Sequence, residues 1–410
     1  MNNNAIKSRD IDLDGAGIIY PYVANRKWNN VYRIEADLRY QVDPCALYRA
    51  VRKLRSDYPY FFCTLAKSGK KFVLRETDPD TNTVYNIGKD LCKPFDLKNG
   101  EPLIRFLFSS RKIAIEMFHS LTDGHGAMQA MKALLARYQR EAFGRKVTEN
   151  GQNGEDKALL QNRNDIFEEL YSAGGKNVSR LISSAYQIKK SPPCDTQYTV
   201  LGIPSQQIVR SAHYYGVSVA MLICALQIKA IALSQKNAHG VIRISVPVDL
   251  RKKFSFSSCR NSSLYFLVSA KVRETVEFTA LLETVKKQFR ENLTTENMQN
   301  LAYTNVSSAK LKAFKMLPVP VKKAILKFGY SHLGENQFTA TMTDIGIIEL
   351  GDDISRMVQK VYFVLGKQKI KPINIAVTTY DDTVRLAVSY DVDATAFIET
   401  MNSLISKYVL

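Results

Sequence analysis

Apolar and polar residues alternate from Lys112 to Phe118, with Ile113, Ile115 and Met117 on one side, the pattern of a strand that buries one face. From Gly126 the period lengthens, and Met128, Met131, Leu134, Leu135 and Tyr138 recur at helical spacing. Between the two lies His119-Ser120-Leu121-Thr122-Asp123-Gly124. A histidine therefore falls at a strand-to-helix turn, where rigid elements on either side can hold its ring toward a cleft.

The same patterning predicts an extended region from Tyr20 to Asp37, a helix over about Pro44 to Tyr58, and strands at Phe61 to Leu65 and Phe72 to Arg75. With the motif strand and helix these make a first lobe, residues 1–165. Its last part, Arg145 to Asp165, is polar and Gly/Asn-rich like a connector or lid. Residues 166–196 read as a connector, partly helical to Ile188 but interrupted by Gly174-Gly175 and stopped by Ser191-Pro192-Pro193. The second lobe, 197–410, shows strands at Gln197 to Ile203, Val241 to Val246, Leu264 to Val272, Val361 to Leu365, Ile373 to Thr379 and Val384 to Tyr390. Helices are predicted at Val217 to Leu233, Glu277 to Asn292 and Ala394 to Tyr408. Without long βαβ repetition, the order predicts an α/β (α+β) protein of helices layered on mixed sheets.

Composition adds that both lobes can bury a core: of 410 residues, 45% are hydrophobic and 10% aromatic. The chain opens polar, and its most apolar run, Val217 to Leu233, is broken by Gln227 and Lys229, so it reads as a core helix and not a membrane span. The six cysteines, at 45, 63, 92, 194, 224 and 259, lack paired metal spacing, and the expectation is a reduced cytoplasmic protein. A formal charge of +18 favours anionic partners. No zinc-finger, basic-zipper or RNA-recognition signature accompanies that charge, which argues against nucleic acid.

The turn offers specific chemistry. Imidazole titrates near neutral pH, so His119 is a candidate general base for a hydroxyl, amine or thiol. Asp123, across the turn, is poorly placed to relay a proton and well placed to pin the turn through an ion pair with an arginine elsewhere. Gly124 permits positive φ and close approach of substrate, and its amide can donate to a developing oxyanion. His125 lies near Asp123 too, but a third ligand is missing and no metal site is expected.

Other segments carry a resemblance. Tyr20-Pro21-Tyr22, Lys27-Trp28-Asn29-Asn30-Val31-Tyr32-Arg33-Ile34, Val42-Asp43-Pro44, Cys92-Lys93-Pro94-Phe95-Asp96, Pro102-Leu103-Ile104-Arg105 and Ile113 to His119 come in order in the first half. Val246-Pro247-Val248-Asp249-Leu250-Arg251, Arg260-Asn261 and Thr343-Asp344-Ile345-Gly346 follow in the second. Together they resemble the bacterial alcohol acetyltransferase-like family within the condensation-domain and chloramphenicol acetyltransferase superfamily, whose signature is HxxxDG. The resemblance implies two chloramphenicol-acetyltransferase-like lobes with an active-site tunnel between them, no bound cofactor or metal, and acyl-coenzyme A as co-substrate. It implies that His119, Asp123 and Gly124 carry the catalytic motif, and that Arg251 pairs with Asp123, with Arg52, Arg55 and Arg105 as substitutes. Asn261 and Thr343 become candidates for donor contacts to the substrate. The expected activity is acyl transfer to a hydroxyl, or less readily an amine, of a small or lipid-like acceptor.

Three departures qualify the match. Phe118 stands where condensation domains have the first of two histidines, which weakens the alternative of a carrier-protein thioester donor. The Asp-Phe-Gly-Trp-Gly signature of plant acyltransferases is absent. Asp344 stands where relatives often carry Asn, which, with the segment described next, leaves an inactive lipid-binding relative as a further alternative.

From Asn297 to Gly334 there is no acidic residue, while Lys310, Lys312, Lys315, Lys322, Lys323 and Lys327 alternate with apolar residues from Leu311 to Phe328. The expectation is a solvated helix face with its apolar side in the core. The alternative is peripheral contact with an anionic membrane.

Overall fold

The structure, a computed structural model, describes residues 10–25, 28–144, 159–179, 183–189, 193–310, 312–329, 335–368 and 370–410. The polar stretch read as a connector or lid lies for the most part outside the described residues, which resume at 159.

Two large sheets organise the chain. The first has the order β12 (Val358–Leu365), β2 (Val31–Leu38), β7 (Lys112–Phe118), β6 (Ile104–Ser109) and β5 (Val84–Asn86). The second runs β10 (Ser263–Lys271), β9 (Val241–Asp249), β11 (Ala340–Ile347), β13 (Ile373–Tyr380), β14 (Thr383–Val392) and β8 (Pro193–Pro204). A small sheet joins β1 (Ile11–Asp12), β4 (Lys71–Glu76) and β3 (Cys63–Ser68). Among the helices are α1 (Tyr20–Val23), α2 (Pro44–Asp57) and α3 (Gly124–Phe143). Alpha helices α2 and α3 pack together and share one apolar core with the first sheet. The second core gathers the six-stranded sheet with helices Val219–Ser234, Phe278–Asn292 and Thr395–Tyr408. Mixed α/β layering is thus the fold class.

Strand β12 comes from the second half yet pairs antiparallel with β2, Phe363 opposite Ile34. The sheets therefore do not follow the boundaries 1–165, 166–196 and 197–410. The region from Tyr20 is also not uniformly extended, because α1 with Pro21 at its start precedes β2. Strands β6 and β11 and helix Ser205–Tyr214 go beyond the elements read from periodicity, and the acid-free stretch expected as a helix face forms helices Thr295–Lys310, Lys312–Met316 and Val319–Gly329.

The alternation in β7 is real, but both faces are buried, because one meets the core under α3 and the segment around Cys92 to Pro94 covers the other. Its polar member, Glu116, is only 2% exposed. Glu116 Oε1 accepts from Arg33 Nε at 2.9 Å and Nη2 at 2.6 Å and from the Cys92 amide at 2.7 Å, and Oε2 accepts from Arg105 Nη1 at 3.3 Å. Arg33 also pairs with buried Glu35 at 2.9 Å. The apolar run of the second half behaves as expected: helix Val219–Ser234 is buried along Leu222 to Ile231. Its interrupting Lys229 donates to the carbonyls of Thr275 at 2.6 Å and Val276 at 2.8 Å. Among the described residues no single helix is long and apolar enough to cross a membrane.

Removing Glu116 leaves two guanidinium groups short of their shared carboxylate inside the first sheet. Glu116→Ala is expected to lower unfolding stability by about 3–5 kcal/mol in a denaturant titration. A loss below about 1 kcal/mol, the scale of a surface pair, would mean that solvent reaches the cluster.

Candidate active site

Strand β7 ends at Phe118, and the backbone then turns under His119. The His119 amide donates to Asn30 O at 2.9 Å and the Leu121 amide to Phe118 O at 2.9 Å. Asp123 caps α3, accepting from the Gly126 amide at 3.0 Å, a local reason for the helix to start here. Glycine is required at 126 by space: a Cβ there would lie 2.6 Å from Cys259 O and 2.1 Å from Thr122 Oγ1. Gly124 does not use the positive φ read from its sequence context, since it opens the helix. What it provides is close approach, because a Cβ would sit 2.7 Å from Ile345 and 3.1 Å from Phe363.

Asp123 joins this turn to the second half of the chain. Its carboxylate takes a bidentate pair from Arg251, Nη1 to Oδ2 at 2.9 Å and Nη2 to Oδ1 at 3.1 Å. The Ser262 amide at 2.7 Å and Ser263 Oγ at 3.0 Å complete its partners. Burial alone would raise the Asp123 pKa, but Arg251 and these donors hold it well below the ordinary carboxylate range. Arg251 is itself positioned by Ser258 O at 2.9 Å and Asp249 Oδ1 at 2.9 Å. The other arginines are committed elsewhere or exposed: Arg55 donates to the carbonyls of Asp78, Pro79 and Thr81, Arg105 to Glu101 and Glu116, and Arg52 lies on the surface.

The ring of His119 stacks on Tyr20, centroids 4.5 Å apart, and meets the edge of Tyr32 at 5.3 Å. Its Nδ1 lies 3.0 Å from Asn261 Oδ1. The other end of that amide, Asn261 Nδ2, donates to Asp14 Oδ2 at 3.0 Å. A carboxylate only accepts, so Asp14 orients the amide, the amide oxygen faces the ring, and Nδ1 must carry the proton. Nε2 is left with its lone pair. Desolvation pushes the His119 pKa below its ordinary value, and its own backbone, Asp123, Asn261 and Asp14 only partly offset this. The ring is therefore neutral and single-tautomer near neutral pH, a state able to accept a proton at Nε2.

This chain of contacts corrects the reading of Asn261. The residue is buried, its amide runs from the ring to Asp14, and the cavity lining passes it by, so it holds His119 in place where a substrate contact was expected. Asp14, which the sequence reading did not single out, is held by the Gly17 and Asn261 amides and lies 3.6 Å from Arg260 Nε. Its only advance signal was an aspartate in a Gly-containing turn just before the Tyr20-Pro21-Tyr22 landmark.

A cavity of about 1460 Å³ opens between the two large sheets and is lined by His119, Asp123, Gly124 and His125 together with β9, β10, β11 and β12 residues. Thr343 and Asp344 line it from β11. Desolvation raises the Asp344 pKa, and its Oδ1 accepts from the Gly346 amide at 2.8 Å. Lys132 and Lys252 contribute positive charge to the same wall. His125 Nδ1 lies 3.6 Å from Asp249 Oδ2. Among the described residues no group of three or more His, Cys, Asp or Glu side chains is arranged to hold a metal ion.

No protein-family model matches the chain, and no curated protein does. Solved structures do match. Polyketide synthase associated protein 5 from Mycobacterium tuberculosis superposes with a TM-score of 0.65 at 15% identity, over 97% of this chain and 96% of that one. TRI101 of F. graminearum, solved with coenzyme A and deoxynivalenol, gives 0.65 at 9% identity over 98% and 99%. The starter condensation domain of rhizomide synthetase, solved with C8-CoA and Leu-SNAC, gives 0.60 at 12% identity over 98% and 95%. The two-lobed fold of these three structures is thereby shared along nearly the whole chain.

The Asp123–Arg251 pair generates a thermodynamic prediction. Asp123→Ala or Arg251→Ala alone should each destabilise by about 3–5 kcal/mol, since a buried charge is left unmatched. The double variant should lose clearly less than the sum of the two, and simple additivity in denaturant melts would place the coupling elsewhere. The contribution should be full above about pH 4, the ordinary carboxylate range, and disappear only as pH falls through the lowered Asp123 pKa.

Proposed function

We infer that this chain is an acyltransferase that moves an acyl group from a coenzyme A thioester to a hydroxyl, with amines as slower acceptors. The observation that carries the reading is the His119 ring in the wall of the cavity, neutral and fixed as the Nδ1–H tautomer by Asn261. In this reading Nε2 takes the acceptor proton while the acceptor oxygen attacks the thioester carbonyl. The tetrahedral intermediate then expels the thiolate, which recovers the proton from His119, and no covalent acyl-enzyme forms. Its oxyanion would lie against the Gly124 amide at the start of α3, where the helix dipole favours negative charge, with the Thr343 hydroxyl as the second candidate donor. Lys132 and Lys252 suit the phosphates of coenzyme A. Asp123 serves as the strut of the turn, not as a relay, because Arg251 and Ser262 saturate its carboxylate.

A carrier-protein thioester is the second reading, favoured by the net charge of +18 and by the likeness to condensation domains. Phe118, in the position of their first histidine, is a core residue at 1% exposure. His119 is the base in this reading too.

His119→Ala is expected to lower turnover by about two to four orders of magnitude while leaving the melting profile nearly unchanged. Free-thiol release from acyl-coenzyme A across chain lengths and acceptor alcohols measures this, and a fully active variant would sink the mechanism. The base works unprotonated, so the rate should rise as pH passes through the His119 pKa. Because desolvation lowers that pKa, the acid limb should fall below the ordinary histidine value of about 6.5. Asp14→Ala frees the Asn261 amide to turn its donor toward the ring. Turnover should drop by about tenfold or more, KM should change little, and the acid limb should move, as expected when a general base loses its orienting partner. An unchanged pH profile would reduce Asp14 to a structural contact.

A further inference from the structure

The acid-free segment turns the sequence expectation inside out. In helix Val319–Gly329 the buried members are Val319 and Lys322. Lys322 Nζ donates to the carbonyls of Lys70 at 2.8 Å and Lys315 at 3.0 Å, so a lysine anchors the helix to the β3–β4 turn. The apolar side chains face outward instead: Val321 is 42% exposed and Phe328 67%, with Met316 at 65% on the preceding helix Lys312–Met316, while Ile325, 48% exposed, stands between this face and the cavity it lines. Positions 321, 325 and 328 share one helix face. Lys315, Lys323 and Lys327 are exposed around it, whereas Lys310 is drawn away by Glu168. A solvated helix would bury this stripe and expose Lys322. An outward apolar stripe set among lysines, in a stretch without a carboxylate, matches the headgroup region of an anionic bilayer.

The location adds a consequence. The same helix lines the cavity through Ile325, Leu326 and Gly329, joined by Phe314 of the preceding helix. It packs against α1, whose Tyr20 ring lies on His119. A chain entering from a bilayer beneath this helix would therefore reach the cavity wall and the base without crossing solvent.

We propose that helix Val319–Gly329 docks the protein on anionic bilayers and that the acyl acceptor is a hydroxyl-bearing amphiphile taken from the leaflet. The acceptor class rests on the acyl-transfer reading, whereas the docking does not.

The test is sedimentation of the full chain with phosphatidylcholine vesicles and with vesicles that also contain phosphatidylglycerol. The protein should pellet with the second only, and high salt should release it. In Lys315→Glu/Lys323→Glu/Lys327→Glu the partition coefficient should fall by about two orders of magnitude or more, as expected for reversing three charges near the surface. Met316→Ser/Val321→Ser should also weaken binding, which separates insertion from charge attraction alone. Transfer to a bilayer-embedded long-chain alcohol should fall in parallel, while transfer to a short soluble alcohol stays unchanged in both variants. Failure of the unmodified protein to sediment at low salt would overturn the proposal, as would binding by both variants undiminished from that of the unmodified protein. A dimer in solution broken by Met316→Ser/Val321→Ser would overturn it too, by giving the face to a second copy. Sedimentation as described with no transfer to either alcohol would leave docking standing and remove the acyl-transfer reading.

Discussion

The structure depends on a buried carboxylate that ties two halves of the chain together. Asp123 starts α3, closes the turn below His119 and accepts directly from Arg251, Ser262 and Ser263 of the second half. A short turn would not otherwise keep an aromatic base at fixed height against a large empty space, because a turn left to itself samples several geometries. Here the energetic penalty of burying the carboxylate is offset by a bidentate cation and three neutral donors, so the geometry has one satisfied state.

The ring above that strut is tuned by separate means. Asp123 sets where His119 stands, while Asp14 acting through Asn261 sets which nitrogen holds the proton. Position and protonation are thus governed by two different carboxylates, Asp123 and Asp14. Tyr20 and Tyr32 remove water from the ring, and the same desolvation that lowers its pKa preserves its lone pair.

Much of this was legible in sequence, for identifiable reasons. The helix at 44–57 and the strands at 112–118, 241–249 and 373–392 have strong apolar periods bounded by clear stops, and the turn residues are adjacent in the chain. The Asp123–Arg251 contact followed from ordered landmarks and not from spacing. Three things were hidden. Glu116 looks like a solvent-facing strand residue until its neighbours Arg33 and Arg105 are seen to be buried with it. Asn261 reads as a substrate contact because sequence does not disclose that its amide is set between Asp14 and the His119 ring. Helix Val319–Gly329 has a conventional amphipathic pattern, and nothing local distinguishes burying its lysine from burying its stripe; that choice belongs to the tertiary contact with Lys70.

The pairing of β12 with β2 has a bearing on how the molecule assembles. The first sheet is left with an unpaired β2 edge until residues 358–365 have been made, long after the rest of that sheet has emerged from the ribosome. Its outer strand carries Ala36, Ile34 and Tyr32, so the growing chain holds an apolar, strand-competent edge for most of its synthesis. Completion of the first sheet therefore waits on the second half of the chain, and the strand that completes it carries Phe363, which lies against Gly124.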